Sequence, residues 1–170
     1  SSNNVGYYSS LAVINGRPAI SYYDSNNGDL KFSIARRADG SGPWTTVTVD
    51  SAGIVGSYSS LAVVDGRPAI SYYDSTNDRL KYAISPTADG SGAWTKLNLG
   101  GTGSGEYTSL AVVNGVPAIS FRVKYDGSRS VLYYMYGGTA DGLSAWGVVV
   151  VDNLDGVGVG SHTSLAVING

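Results

Sequence analysis

This sequence repeats itself, and the repeat constrains its fold more than any other feature. The segment Tyr8 to Asp24 (YSSLAVINGRPAISYYD) returns from Tyr58 to Asp74 with two changes. A looser copy runs from Tyr107 to Phe121, and a partial copy from His162 to Gly170. Leu11, Leu61, Leu110 and Leu165 stand 50, 49 and 55 residues apart, and Trp44, Trp94 and Trp146 keep nearly the same period. Periods of about 40 to 50 residues belong to propellers or helical arrays, whose units bury their apolar faces only against one another.

Local chemistry decides between these two. Each full copy places Asn15-Gly16, Asp65-Gly66 or Asn114-Gly115 between apolar runs. Such pairs are the strongest short-range hairpin signal, because a type I′ turn needs positive φ at both central residues. The hairpin sets Ile14 opposite Arg17 and Val13 opposite Pro18, so the proline lacks only an N–H that points away from its hairpin partner. The first repeat then divides into strands at about Ser10–Ile14, Arg17–Tyr23, Leu30–Ala35 and Trp44–Val49, with the third repeat lengthened near Arg122 to Tyr125. The run Leu11 to Ile14 is apolar on both faces, which predicts a strand covered on both sides. The expected fold is an all-β propeller of four-stranded antiparallel blades of about 50 residues. Blade 1 is placed at about 8–57, blade 2 at 58–106, blade 3 at 107–161 and a partial blade 4 at 162–170.

Three blades should not close a ring, since propellers have about four to eight. Either further blades lie in a longer chain, or copies associate head to tail. A lone array would leave one apolar blade face bare at each end.

Composition narrows the function. The 170-residue chain carries a net charge of −2, so no basic stripe exists to neutralise nucleic-acid phosphates. No apolar run approaches the ~18 residues that would span a bilayer as a helix. There is no cysteine. No phosphate loop, dinucleotide fingerprint or zinc spacing is present, and no cofactor is expected.

The turns between third and fourth strands read Arg37-Ala-Asp39-Gly-Ser-Gly-Pro-Trp44, Thr87-Ala-Asp89-Gly-Ser-Gly-Ala-Trp94 and Thr139-Ala-Asp141-Gly-Leu-Ser-Ala-Trp146. They resemble the Asp-box, or BNR repeat, of sialidase-type β-propellers, as found in tandem-repeat surface proteins of bacteria. The Asp-to-Trp spacing matches in all three copies and the hydroxyl position in two. The motif glycine is displaced from Ser41, Ser91 and Leu143. The resemblance implies a structural turn lock: Asp39, Asp89 and Asp141 cap backbone N–H groups, and Trp44, Trp94 and Trp146 pack between blades.

Chain direction puts the turns between second and third strands, together with the blade linkers, on one face. In the resembled family that face binds ligands. It would present Tyr8, Tyr23, Asp24, Tyr58, Tyr73, Asp74, Tyr107 and Asp126 as ligand-binding candidates, with His162 replacing the repeat tyrosine. Tyrosine offers rigid stacking area with a polar tip, which suits sugars. The alternative is that these tyrosines pack between blades and the aspartates cap turns. Asp24 to Asp29 reads as a capped turn rather than a calcium loop, so no metal is expected. Arg17 and Arg67 sit on the opposite face. The chain has a single glutamate, Glu106, and no pair of carboxylates stands out for glycoside hydrolysis. The expectation is therefore a chain that is not an enzyme and has no catalytic residues. It would be a binding or display propeller at the cell surface or outside the cell, meeting a glycan or a protein surface. A piece of a sialidase-like hydrolase and a self-assembling structural array are the alternatives.

Overall fold

A computed structural model describes residues 4–126, 129–153 and 158–168. Twelve strands form among them. The first sheet holds β1 (Val5–Ile14), β2 (Arg17–Asp24), β3 (Asp29–Ala35) and β4 (Trp44–Asp50). The second holds β5 (Val55–Val64), β6 (Arg67–Asp74), β7 (Arg79–Ile84) and β8 (Thr95–Asn98). The third holds β9 (Ser104–Val113), β10 (Val116–Lys124), β11 (Ser130–Gly137) and β12 (Trp146–Asp152). Each sheet is antiparallel with its strands in chain order. Ile14 pairs with Arg17 and Val13 with Pro18, as the hairpin chemistry predicts, and Asn15 and Gly16 both have positive φ (50° and 72°).

The first strands pack side by side, β1 on β5 and β5 on β9, and so line a common axis. The sheets are the blades of a partial propeller. Between blades 1 and 2, Ile14, Phe32 and Ile34 meet Leu61, Ile70 and Trp94. Between blades 2 and 3, Val64, Tyr82 and Ile84 meet Leu110, Ile119 and Met135. A buried polar network spans the first of these interfaces. Asp50, at the end of β4, accepts hydrogen bonds from the Tyr72 hydroxyl (2.8 Å) and from Lys81, with Lys96 at 3.6 Å.

Two expectations need correction. The first strand begins at Val5 rather than Ser10, because a bulge at Tyr8–Ser9 interrupts the pairing without ending it. The leading face of the apolar run is covered only where a blade precedes it. Leu61 and Leu110 are each 6% exposed, but Leu11 is 66% exposed, since none of the described residues packs over it on the leading face of blade 1.

The partial fourth copy takes its seat without a hairpin partner among the described residues. Thr163 Oγ1 donates to the Tyr107 carbonyl (2.6 Å), and Ser109 Oγ accepts from the Leu165 N–H (2.9 Å). Ser59 and Leu61 make the same two bonds to Tyr8 and Ser10, and Thr108 and Leu110 make them to Tyr58 and Ser60. Residues 169 and 170, which close that copy, lie outside the described residues.

Candidate functional site

Every inner strand is bulged at the same place. Tyr8–Ser9, Tyr58–Ser59 and Tyr107–Thr108 each oppose one residue of the neighbouring strand. Tyr8, Tyr58, Tyr107 and His162 have φ of 53°, 55°, 54° and 57°, the left-handed region that bulky residues avoid. A bulge re-aims a side chain, and here it gathers four rings into one row. Their centroids are 4.6, 4.4 and 4.6 Å apart in the order Tyr8, Tyr58, Tyr107, His162. The row, with Ser9, Ser59, Thr108 and Thr163 beside it, lines an open hollow on the axis.

Around this row blade 3 departs from its sisters. Register puts Arg122 where blades 1 and 2 carry Tyr23 and Tyr73, and Glu106 where they carry Tyr7 and Ser57. Arg122 Nη1 lies 3.3 Å from Glu106 Oε2, and the guanidinium sits over the Tyr107 ring, 5.9 Å from its centroid. Arg122 Nε is buried without a hydrogen-bond partner. The Tyr73 ring lies 6.1 Å from that of Tyr58, and its hydroxyl donates to Asp78 at 2.6 Å. Burial pushes the Tyr58 and Tyr73 phenols well above their ordinary value, aided by hydrogen bonds with Tyr107 and Asp78 respectively. Both therefore stay protonated hydroxyl groups at neutral pH. Tyr73, Asp78, Glu106, Lys124, Tyr125 and Asp126 border a second hollow beside the row. The two together offer aromatic surface, phenol hydroxyls, carboxylates and a guanidinium, a set able to hold a polyhydroxylated ligand.

The sequence-level candidates fall into two groups. Tyr8, Tyr58, Tyr73 and Tyr107 come together at the axial hollows. Tyr23 lies one blade away, opposite Tyr7. Asp24 and Asp74 are 6% and 1% exposed and engaged in their own turns, Asp24 bonding Asn26 N–H and the Asn27 amide, and Asp74 the Asn27 equivalent, Asn77. Asp126 caps its loop by accepting from the Arg129 N–H at 2.7 Å. Among the described residues, no group of three or more His, Cys, Asp or Glu is placed to hold a metal ion.

The turns on the opposite face share one bonding pattern. Asp39, Asp89 and Asp141 each accept from the N–H two residues on, at 2.9 to 3.0 Å. Trp44, Trp94 and Trp146 each donate Nε1–H to the carbonyl of Gly40, Gly90 or Gly142. Trp94 packs on Phe32 and Trp146 on Tyr82, each on the preceding blade. Trp44, with no blade before it among the described residues, is 37% exposed. Asn15 Nδ2 donates to the Ala88 carbonyl, which ties the hairpin turn of one blade to the box-like turn of the next.

The sequence offered no role for Arg122 or Asp78, and set Glu106 aside because no second carboxylate stood out beside it. The signal for Arg122 was its break with the repeat, since the other two blades carry tyrosine at that position.

No protein-family model matches the sequence, and no curated protein is significantly similar to it. Solved structures are similar. A chain described as bifunctional GH43-CE from Bacteroides eggerthii superposes with a TM-score of 0.57 at 17% identity, over 85% of this chain and 19% of that one. An alpha-L-arabinofuranosidase from Lactobacillus brevis gives 0.61 at 13% identity, over 86% of this chain and 54% of that one. A thermostable family-43 glycoside hydrolase gives 0.59 at 10%, over 89% and 54%. This chain thus spans about a fifth to a half of those it matches. At such identities the likeness establishes the propeller fold. It also corrects the expectation of a chain that is not an enzyme. Its structural neighbours are glycoside hydrolases, so the lack of a recognisable catalytic set in the repeat does not separate it from enzymes.

Proposed function

We propose that the axial face binds carbohydrate. The observation that carries this reading is the row of aromatic residues held at positive φ. A non-glycine residue there costs on the order of 1–3 kcal/mol, and such outliers cluster at ligand sites. Glycine would sit in that bend without strain, yet all four copies carry an aromatic ring. Tyr8, Tyr58 and Tyr107 supply stacking area and hydroxyls, with Tyr73 flanking them and Tyr23 farther off on blade 1. Glu106 and Arg122 supply directional bonds at the Tyr107 end of the row, with Asp126 beside them, while Asp24 and Asp74 hold the turns of their own blades. The arabinofuranosidase among the similar structures makes arabinose-bearing oligosaccharides the first ligands to try. An extracellular or cell-surface location agrees with such a ligand. The shared bonds of the three Asp-to-Trp turns support assigning them to the Asp-box class.

The test is glycan binding by titration calorimetry, comparing the parent chain with Tyr58→Gly and Arg122→Ala. Tyr58→Gly removes a ring while suiting φ, so the melting temperature should hold within a few degrees while affinity falls about tenfold or more. Parent-like affinity in both variants would count against the site.

A second reading has its own support. Glu106, Asp78 and Asp126 face one hollow, and the similar structures are glycoside hydrolases. In a complete ring these carboxylates would serve hydrolysis as acid and base. Turnover of an aryl arabinofuranoside by the complete ring that Glu106→Gln abolishes would establish it. Turnover that survives the substitution would not.

A further inference from the structure

The leading face of blade 1 and the trailing face of blade 3, on which residues 163–168 hold only the inner-strand seat, are complementary halves of one interface, and we infer that the first docks on the second in another copy. Three kinds of contact point to this.

The first is electrostatic. Asp50 pairs with Leu30 at the edge of blade 1 and reaches Tyr72 and Lys81 of blade 2. In the next interface this network is missing. Gly100 stands at the Asp50 position, donating to the Leu80 carbonyl, and Phe121 and Tyr133 stand where Tyr72 and Lys81 did. It is restored at the two ends. Asp152 pairs with Leu132 as Asp50 does with Leu30, on the trailing edge of blade 3. Tyr22 and Lys31 pair with each other on blade 1 as Tyr72 and Lys81 do on blade 2. Docking would set the Asp152 carboxylate against the Tyr22 hydroxyl and the Lys31 ammonium.

The second is aromatic. Trp94 covers Phe32 and Trp146 covers Tyr82. Exposed Trp44 is the next tryptophan in that series, and Tyr134 of blade 3, opposite Ser120 as Phe32 is opposite Ser21, is the ring that awaits it.

The third is the inner strand. Residues 163–168 already hold its seat on blade 3 with the same bonds that β5 and β9 make. Their sequence, Thr-Ser-Leu-Ala-Val-Ile, differs from Ser9 to Ile14 only by Thr for Ser. The β1 strand of the second copy can therefore exchange with residues 163–168 and make the same two inter-strand bonds. Two copies contribute six blades, within the range of about four to eight in which propellers close.

Sedimentation velocity of the 170-residue chain, with Trp44→Ala and Asp152→Asn, tests this. Both side chains lie at open ends, and circular dichroism checks that each variant folds. The parent chain should form a discrete assembly that weakens at least tenfold in each variant. Mixing the two variants should recover association, because each retains the face the other has lost; this recovery marks head-to-tail contact and no symmetric one. A monomeric parent across the micromolar range, or assemblies indifferent to both substitutions, would overturn the inference and leave further blades of a longer chain as the occupant of these faces.

Discussion

Gly90 shows how much a single position can carry. It has φ +83°, and a Cβ built there would collide with Cε1 of Phe32, on the blade before. Gly40, its counterpart in blade 1, has φ +76° but only Pro18 nearby, at 3.3 Å. Gly90→Ala should therefore cost several kcal/mol, on the order of 3, and Gly40→Ala about 1, as read by urea denaturation. Equal costs would mean that backbone strain alone matters and the Phe32 contact does not. Beside Gly90, hydrogen bonds from the Ser91 hydroxyl and N–H and from Thr87 lower the Asp89 carboxyl from 3.8 to about 2. A carboxyl depressed in the folded state stabilises above its ordinary value and loses that contribution as pH falls. Stability should then decline between about pH 4 and 2, and Asp89→Asn should flatten this part of a melting-temperature profile. An unchanged profile in the variant would remove Asp89 as the cause.

At the scale of strands, the two interfaces within the chain use different physics. Asp50 is 2% exposed and Lys81 8%. Burial pushes the Asp50 carboxyl up, but hydrogen bonds from Lys81 and Tyr72 and the Lys81 charge outweigh it and hold the group below its ordinary value. Removing one member of a buried pair leaves the other uncompensated, so Asp50→Ala should lose about 3 kcal/mol in chemical denaturation. Asp50→Ala with Lys81→Met should recover part of it; a double variant no better than the single would show that the charge is not the issue. Between blades 2 and 3 the pair gives way to Phe121 and Tyr133, whose rings stack at 5.8 Å. There β8 is short, and Leu99, Phe121, Val123, Tyr133 and Val148 border an apolar gap.

For the molecule as a whole, stability is a sum over blades and the contacts between neighbours. Leu11, Val13 and Trp44, exposed at one end, are costs that a neighbouring blade would reduce. If copies supply that neighbour, the melting temperature must rise with protein concentration. Differential scanning calorimetry over a hundredfold range of concentration, about 1 to 100 μM, should show this for the parent chain and not for Asp152→Asn. A concentration-independent parent transition would contradict docking between copies.

Repeat, turn and register were legible in the residues themselves. Asn-Gly and Asp-Gly turns are local, and the alternation about Val13 and Pro18 follows from one hairpin. The Asp-to-Trp turns were legible for the same reason, since their bonds span only a few residues. The candidate site was legible in part: the tyrosines at the starts of the inner strands stood out, but their bulge and left-handed backbone did not, because a bulge depends on what the neighbouring strand presents. Which apolar runs are covered, and that Glu106, Arg122 and Tyr73 meet beside one row of rings, were decided by tertiary structure. Those residues are distant along the chain or belong to different blades. Only the stacking of blade on blade, which no local pattern encodes, brings them within reach of one another.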